Sequence, residues 1–229
     1  MNNKELKFHG ELMLADLSGA LIWPDANTVI VSDMHLEKGS YYATKGILLP
    51  PYDSIETLQT LIKILAYYCP DRVICLGDSF HDPSAFKRLG FEEKKIIQRL
   101  TQTYTWIWIT GNHDPNPPTV LGGEVTQCLK LGSLVFRHIA MAGQVHGEVS
   151  GHFHPKAKLL VRGKRLAARC FITDGTKRLI LPAFGTYTGG LDVTSPAIKR
   201  LFNEDFQVWL LGHGKIFSFA QSTITSHIR

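Results

Sequence analysis

At 229 residues, 44% hydrophobic and 20% charged, with 20 Gly and 11 Pro, the chain has the composition of an ordinary globular protein, without the bias of a disordered or fibrous one. Its net charge, 25 − 20 = +5, is too small to name a partner. No apolar run approaches the ~20 residues that cross a bilayer, and the opening MNNKELKFHGELML has no secretory pattern. The expectation is one domain over residues 1–229, cytoplasmic and away from membranes. Cys69, Cys75, Cys128 and Cys170 lie far apart without a C-x-x-C, and read as reduced, mostly buried thiols.

In chain order, Glu11–Ala15 and Ala20–Trp23 read as paired strands and Thr28–Val31 as a buried one. A helix is predicted from Asp53 to Tyr68, capped by Asp53 or Ser54, with Ile55, Leu58, Leu61, Ile62 and Leu65 on one face. Arg72–Leu76 is another buried strand, Glu92–Gln102 a second amphipathic helix and Tyr104–Thr110 a third buried strand. Strands alternating with helices in this way indicate parallel β-α-β units.

The second half changes character. Leu134–Arg137, Lys158–Arg162, Leu166–Thr173, Arg178–Leu181 and Gln207–Leu211 read as strands joined by Gly- and Pro-rich turns, with a helical turn at Ala197–Phe202. The pattern implies two packed sheets with helices covering the first. Within this half, Pro155–Thr173 carries Lys156, Lys158, Arg162, Lys164, Arg165 and Arg169 and no acid, which is either a solvated hairpin or a strip facing a polyanion.

Four segments carry the chemistry: Ser32-Asp33-Met34-His35, Gly77-Asp78, Gly111-Asn112-His113-Asp114 and Gly151-His152-Phe153-His154. The first three begin just past predicted buried strands, and open α/β sheets bind ligands beyond the carboxyl ends of their strands. Alternation along an extended segment puts Asp33 and His35 on one side, and His152 and His154 likewise. A carboxylate, imidazole and carboxamide set without thiolate suits Mn²⁺, Fe or Zn²⁺. These are too many ligands for one ion. Two ions ~3.5–4 Å apart clamp the oxygens of an in-line displacement at phosphorus. Each motif alone recurs in unrelated proteins as a turn or a cap; their joint occurrence in this order carries the inference.

The order D-x-H, G-D, G-N-H-D, H, G-H-x-H resembles that of the calcineurin-like metallophosphoesterases, over Val29–Pro155 by motif. A closer resemblance is to the bacterial ligase-associated DNA-damage-response phosphoesterases. It lies in HLEKGSYYATKGILLPPYD (His35–Asp53), LGDSFHD (Leu76–Asp82), GHFHPKA (Gly151–Ala157) and LPAFGTYTGGLDV (Leu181–Val193). The resemblance implies an α/β fold, a four-layer α-β-β-α sandwich of two packed mixed sheets, and two divalent metal ions, with manganese first and iron or zinc as alternatives.

Carried over by position, the resemblance gives Asp33, His35 and His154 to one ion and Asn112, His138 and His152 to the other, with Asp78 bridging. It makes His113 the residue that contacts the phosphoryl group and protonates the leaving oxygen, with Asp114 orienting that imidazole. His146-Gly147 fits the family's His-Gly dipeptide better than His138 does, but His138 ends a predicted strand, which favours it. His81 falls beside Asp78, either at substrate or on a surface loop. The Lys38–Pro51 connection either covers the site or merely links two elements. Pro182–Gly190 offers backbone N–H groups and the hydroxyls of Thr186 and Thr188 to phosphate.

The expected activity is a dinuclear phosphodiesterase acting on nucleic acid in DNA repair, with Lys156, Lys158, Arg162 and Lys164 meeting the polyanion. The alternatives are a phosphoesterase for a small ester or nucleotide, and a scaffold. The implied protein partners are a DNA ligase, helicase or nuclease.

Overall fold

The computed structural model describes residues 2–161, 164–202 and 205–225, with backbone alone at 159–161, 164–166 and 225. The first sheet runs, in spatial order, β1 (Asn3–Phe8), β2 (Glu11–Asp16), β3 (Leu21–Trp23), β4 (Thr28–Val31), β5 (Arg72–Leu76), β6 (Thr105–Ile109) and β7 (Glu124–Thr126). Its pairing is antiparallel from β1 to β4 and parallel from β4 to β7. Helices α1 (Lys38–Thr44), α2 (Asp53–Tyr68), α3 (Ala85–Arg88) and α4 (Phe91–Thr103) occupy the connections between β4 and β6.

Strand alternation sorts the core. Val29, Val31, Val73, Cys75, Trp106 and Trp108 meet Leu58, Leu61 and Leu65 of α2 and Ile97 and Leu100 of α4. The intervening Ile30, Ile74, Leu76, Ile107 and Ile109 pack against Phe136, Val149, Phe171, Leu179 and Leu181 of the second sheet.

That second sheet contains β8 (Cys128–Leu131), β9 (Leu134–Arg137), β10 (Glu148–Ser150), β11 (Lys156–Val161), β12 (Lys164–Thr173), β13 (Arg178–Ile180), β14 (Gln207–Leu211) and β15 (Ile216–Ala220). Its order is β15-β14-β12-β13-β10-β9-β8, with β11 paired to β12 in a hairpin and β10 parallel to both neighbours. Its outer face, with Cys170, Ile172, Ile180 and Val208, is covered by Ile198 of α5 (Pro196–Lys199), Phe202 and Ile224 of α6 (Gln221–Thr225). The layers are therefore helix, sheet, sheet, helix, as the motif order implied.

Two local expectations are corrected. Tyr52, not Asp53 or Ser54, stands at the α2 N-cap, and no side chain caps that helix; Asp53 and Ser54 instead hold the segment after His35. Only Cys75 and Cys170 are buried, while Cys69 and Cys128 are exposed free thiols. The Lys38–Pro51 connection contains α1. Among the described residues no helix is long and apolar enough to cross a membrane.

Candidate metal centre

Parallel strands β4, β5, β6, β9 and β10 end at one edge of the two sheets. Asp33, Asp78, Asn112, His138 and the pair His152 and His154 follow them within a few residues. Asp33, His35 and His154 bring one ligating atom each within 4.8 Å of one another, and Asp78, His138 and His152 do the same. His154 Nε2 lies 3.1 Å from Asp33 Oδ1 and 3.4 Å from His35 Nε2. In the other group His138 Nε2 lies 3.3 Å from Asp78 Oδ2, 3.2 Å from His152 Nδ1 and 3.0 Å from Asn112 Oδ1. Asp78 Oδ2 is also 3.9 Å from His35 Nε2, so one carboxylate oxygen faces both groups.

The donor set fits divalent cations. Asp33 Oδ1 is fully buried and accepts no hydrogen bond despite the nearby His154 ring. His35 Nε2 and His154 Nε2 stand 3.4 Å apart, and His138 Nε2 and His152 Nδ1 3.2 Å apart. A buried carboxylate oxygen without a donor, ringed by imidazole nitrogens, is costly unless a cation lies among them. Burial holds the His35 imidazole down at about 3 despite the opposing charges of Asp33 and Asp78, so it is neutral and ready to ligate. Burial would raise Asp78, but the hydrogen bond and charge of His138 hold it at about 2. His138 moves the opposite way: burial lowers it, yet Asp78 and Asp33 lift it to about 9. The two carboxylates thus favour positive charge at this position, which a bound cation would supply.

The ligands converge, but not through extended backbone. Asp33, His35, Asp78, His152 and His154 all have left-handed φ, at 53°, 46°, 47°, 69° and 44°. The segments leaving β4 and β5 run side by side, Asp33 N–H donating to the Gly77 carbonyl and His35 N–H to that of Asp78. Met34 is buried between the two ligands, and Phe153 packs on the second sheet. Gly77, with φ 76°, is required for space as well: a Cβ there would stand 2.6 Å from the His138 ring.

Asp114 does not orient His113, which corrects the expected role. Its carboxylate accepts backbone N–H groups from Asp78, Ser79, Phe80 and Gly111, tying the β5 and β6 loops together. Burial and the charge of Asp78 push Asp114 up to about 7 against those donors. The His113 ring is oriented by the His81 carbonyl, 2.8 Å from its Nδ1, and packs edge-on to His35. His81 is in the site, not on a surface loop: its Nδ1 is 3.3 Å from His35 Nδ1, its ring stacks on His113, and burial lowers it to about 4.

Sequence reasoning missed Lys38, Tyr41 and Tyr42, which α1 brings to the same rim. Burial lowers the Lys38 pKa, against the pull of Asp33, Asp53 and Asp78, with Lys156 adding repulsion. In the sequence they lie within the His35–Asp53 segment that carries the family resemblance, with nothing to say which rings they meet.

The Pro182–Gly190 loop is partly engaged within the protein. Phe184 N–H and Gly185 N–H donate to the Ser32 and Asp33 carbonyls, so they are not free for phosphate. The Thr186 hydroxyl meets that of Thr57, and Thr188 donates to the Gly185 carbonyl. A Cβ on Gly185 would run into the Met34 carbonyl oxygen, so the loop clamps the ligand-bearing backbone. The basic strip divides as well. Arg169 is buried against the Ala183 and Phe184 carbonyls, and Lys158 pairs with Asp192 at 3.3 Å. Lys156 stays near the rim, 3.4 Å from the Thr188 carbonyl. Arg162 lies outside the described residues, and Lys164 is described by its backbone in β12 alone.

His146 is exposed and belongs to neither group, whereas His138 is buried among the ligands. His138→Ala is therefore expected to lose the metal of its group and nearly all turnover, and His146→Ala to change neither. Elemental analysis paired with turnover of an aryl phosphodiester checks this; metal loss in the His146 variant alone would reverse the assignment.

The chain is similar to the Pseudomonas putida nuclease MPE, with 26% identity, a TM-score of 0.73, and 95% of this chain and 100% of that one covered. It is also similar to YfcE, a phosphoesterase from E. coli, at 14% identity and a TM-score of 0.42, over 84% of this chain and 97% of that one. No curated protein matches it. The family model for calcineurin-like phosphoesterases matches residues 26–214, a span that contains every ligand described above. The chain belongs to the calcineurin-like phosphoesterase family and is a metal-dependent phosphoester hydrolase.

Proposed function

We propose that this hydrolase is a phosphodiesterase that cuts the nucleic-acid backbone, with manganese as its working metal. The observation that carries the reading is an open centre. Asp33 and Asp78 are buried, but His113, His152 and His154 present edges to solvent. A recess of about 300 Å³ lined by Thr110, Gln127, Arg137 and Ile139 leads away beside Asn112 and His138. A polymer crosses such a rim, whereas a small ester needs a closed cavity to bury its surface. The similarity to a nuclease over nearly the whole chain supports the same reading.

Asp33, His35, Asp78, His154, Asn112, His138 and His152 would hold two divalent ions, which when bound supply charge neutralisation at phosphorus and a water of lowered pKa. His113 supplies the proton. To act as the acid the ring must carry a proton on both nitrogens: Nδ1–H is engaged by the His81 carbonyl, and Nε2–H is the one left to pass to the leaving oxygen. His81 braces that ring by stacking at 5.2 Å and fixing its orientation. Lys38 adds positive charge at the same rim.

The test compares manganese-loaded and metal-stripped protein on single-stranded DNA, a small aryl phosphodiester and an aryl phosphomonoester. Loaded protein is expected to cleave both diesters, and stripped protein neither. Turnover of the monoester alone would overturn the reading.

A further inference from the structure

We propose that Tyr41 and Tyr42 form a stacking platform for a base of the substrate strand beside the scissile phosphate, an assignment that rests on the nucleic-acid reading above. Rings run outward from the metal centre in a near-parallel row. His113 stacks on His81 at 5.2 Å and 19°, and His81 on Tyr42 at 6.2 Å and 23°. Tyr41 meets His81 edge-on at 4.7 Å and Tyr42 at 5.9 Å. Both tyrosines are half-exposed. Neither hydroxyl has a hydrogen-bond partner among the described residues, unlike that of Tyr68, which bonds Asp16, or Tyr187, which bonds the Pro50 carbonyl. Their hydroxyls are therefore not committed to internal structure, while their rings are held against His81.

The platform is held rigidly. The Glu37 carboxylate accepts the Ser40 and Ser54 hydroxyls, and Gly39 N–H donates to Asp53. Arg88 donates to the Ser40 hydroxyl and pairs with Asp82. This explains why Asp53 and Ser54 are buried at the start of α2 without capping it. A pre-ordered aromatic face loses little freedom on binding. Lys45, whose Nζ lies over one face of the Tyr41 ring 5.6 Å from its centre, and Lys38 supply positive charge close by for neighbouring phosphates. Every base has a π-face, so such a platform binds without reading sequence.

The experiment compares the manganese-loaded protein on oligothymidylate and on an all-abasic oligomer of equal length. The two carry the same phosphates, so their ratio of kcat/KM isolates the bases. Wild type is expected to favour the base-bearing strand by roughly five- to a hundredfold, the range for one stacked base. Tyr41→Leu with Tyr42→Leu is expected to bring the ratio close to one, and Tyr41→Phe with Tyr42→Phe to keep it. A wild-type ratio of one, with both oligomers cleaved, would overturn the platform while leaving the nucleic-acid reading intact. A wild-type ratio retained by the leucine variant would place the stacking elsewhere. Cleavage of neither oligomer by wild type, with the aryl phosphodiester still hydrolysed, would overturn the nucleic-acid reading and the platform with it.

Discussion

Asp78→Asn is expected to give a folded protein with almost no activity and little bound metal. The substitution keeps the shape and the Oδ1 acceptor that His113 N–H uses at 2.8 Å. It removes the charge from the oxygen that faces His138 at 3.3 Å and His35 at 3.9 Å. Two cations held there would share one carboxylate fewer, in a site where burial strengthens electrostatic interactions. The loss of metal affinity should exceed the roughly 10–100-fold that follows removal of a mere supporting group. His138 should respond as well, since Asp78 is a main reason its pKa stands near 9. Metal content and turnover across a manganese titration measure both effects. Full occupancy by two ions with activity intact would sink the shared-carboxylate arrangement.

His113→Ala should separate chemistry from metal binding. His113 belongs to neither ligand group that contains an Asp, so the ions should stay. Turnover of DNA should fall by about 10²–10⁴-fold, the usual contribution of a positioned acid or base. An aryl phosphodiester should lose far less, because a phenolate of low pKa departs without a proton. Equal losses on the two substrates would mean that His113 stabilises charge on the phosphoryl group and is not the acid. Loss of metal would make it a ligand.

Much of this was legible in the sequence because it depends on periodicity and on strand ends. Asp53–Tyr68 is long and amphipathic, Thr28–Val31 and Arg72–Leu76 are apolar runs, and the structure gives them those same limits. Where a strand is three residues long and mostly charged or hydroxylic, it was missed. The three-residue Glu148–Ser150 is wholly buried, and Glu124–Thr126 is an exposed edge. The ligands were legible as motifs, since chemistry restricts residue type. The role of Asp114 was not, because a carboxylate beside a histidine in sequence looks like its partner, and only the fold shows four backbone N–H groups claiming it first. Tyr41 and Tyr42 were silent for the opposite reason: nothing in an aromatic doublet says which ring it will stand beside.

The left-handed backbone at Asp33, His35, Asp78, His152 and His154 has an evolutionary reading. Strain of this kind costs of order 1–3 kcal/mol per residue, less for Asp and His than for most. It persists because those side chains are needed there. In a lineage that stopped using the centre, selection would no longer hold those five residues, and glycine would relieve the backbone at each. Decay of function should therefore begin at 33, 35, 78, 152 and 154 while the hydrophobic layers stay as they are. A descendant with glycines at these positions and the same core would have kept the fold as a scaffold and gained stability by becoming inert.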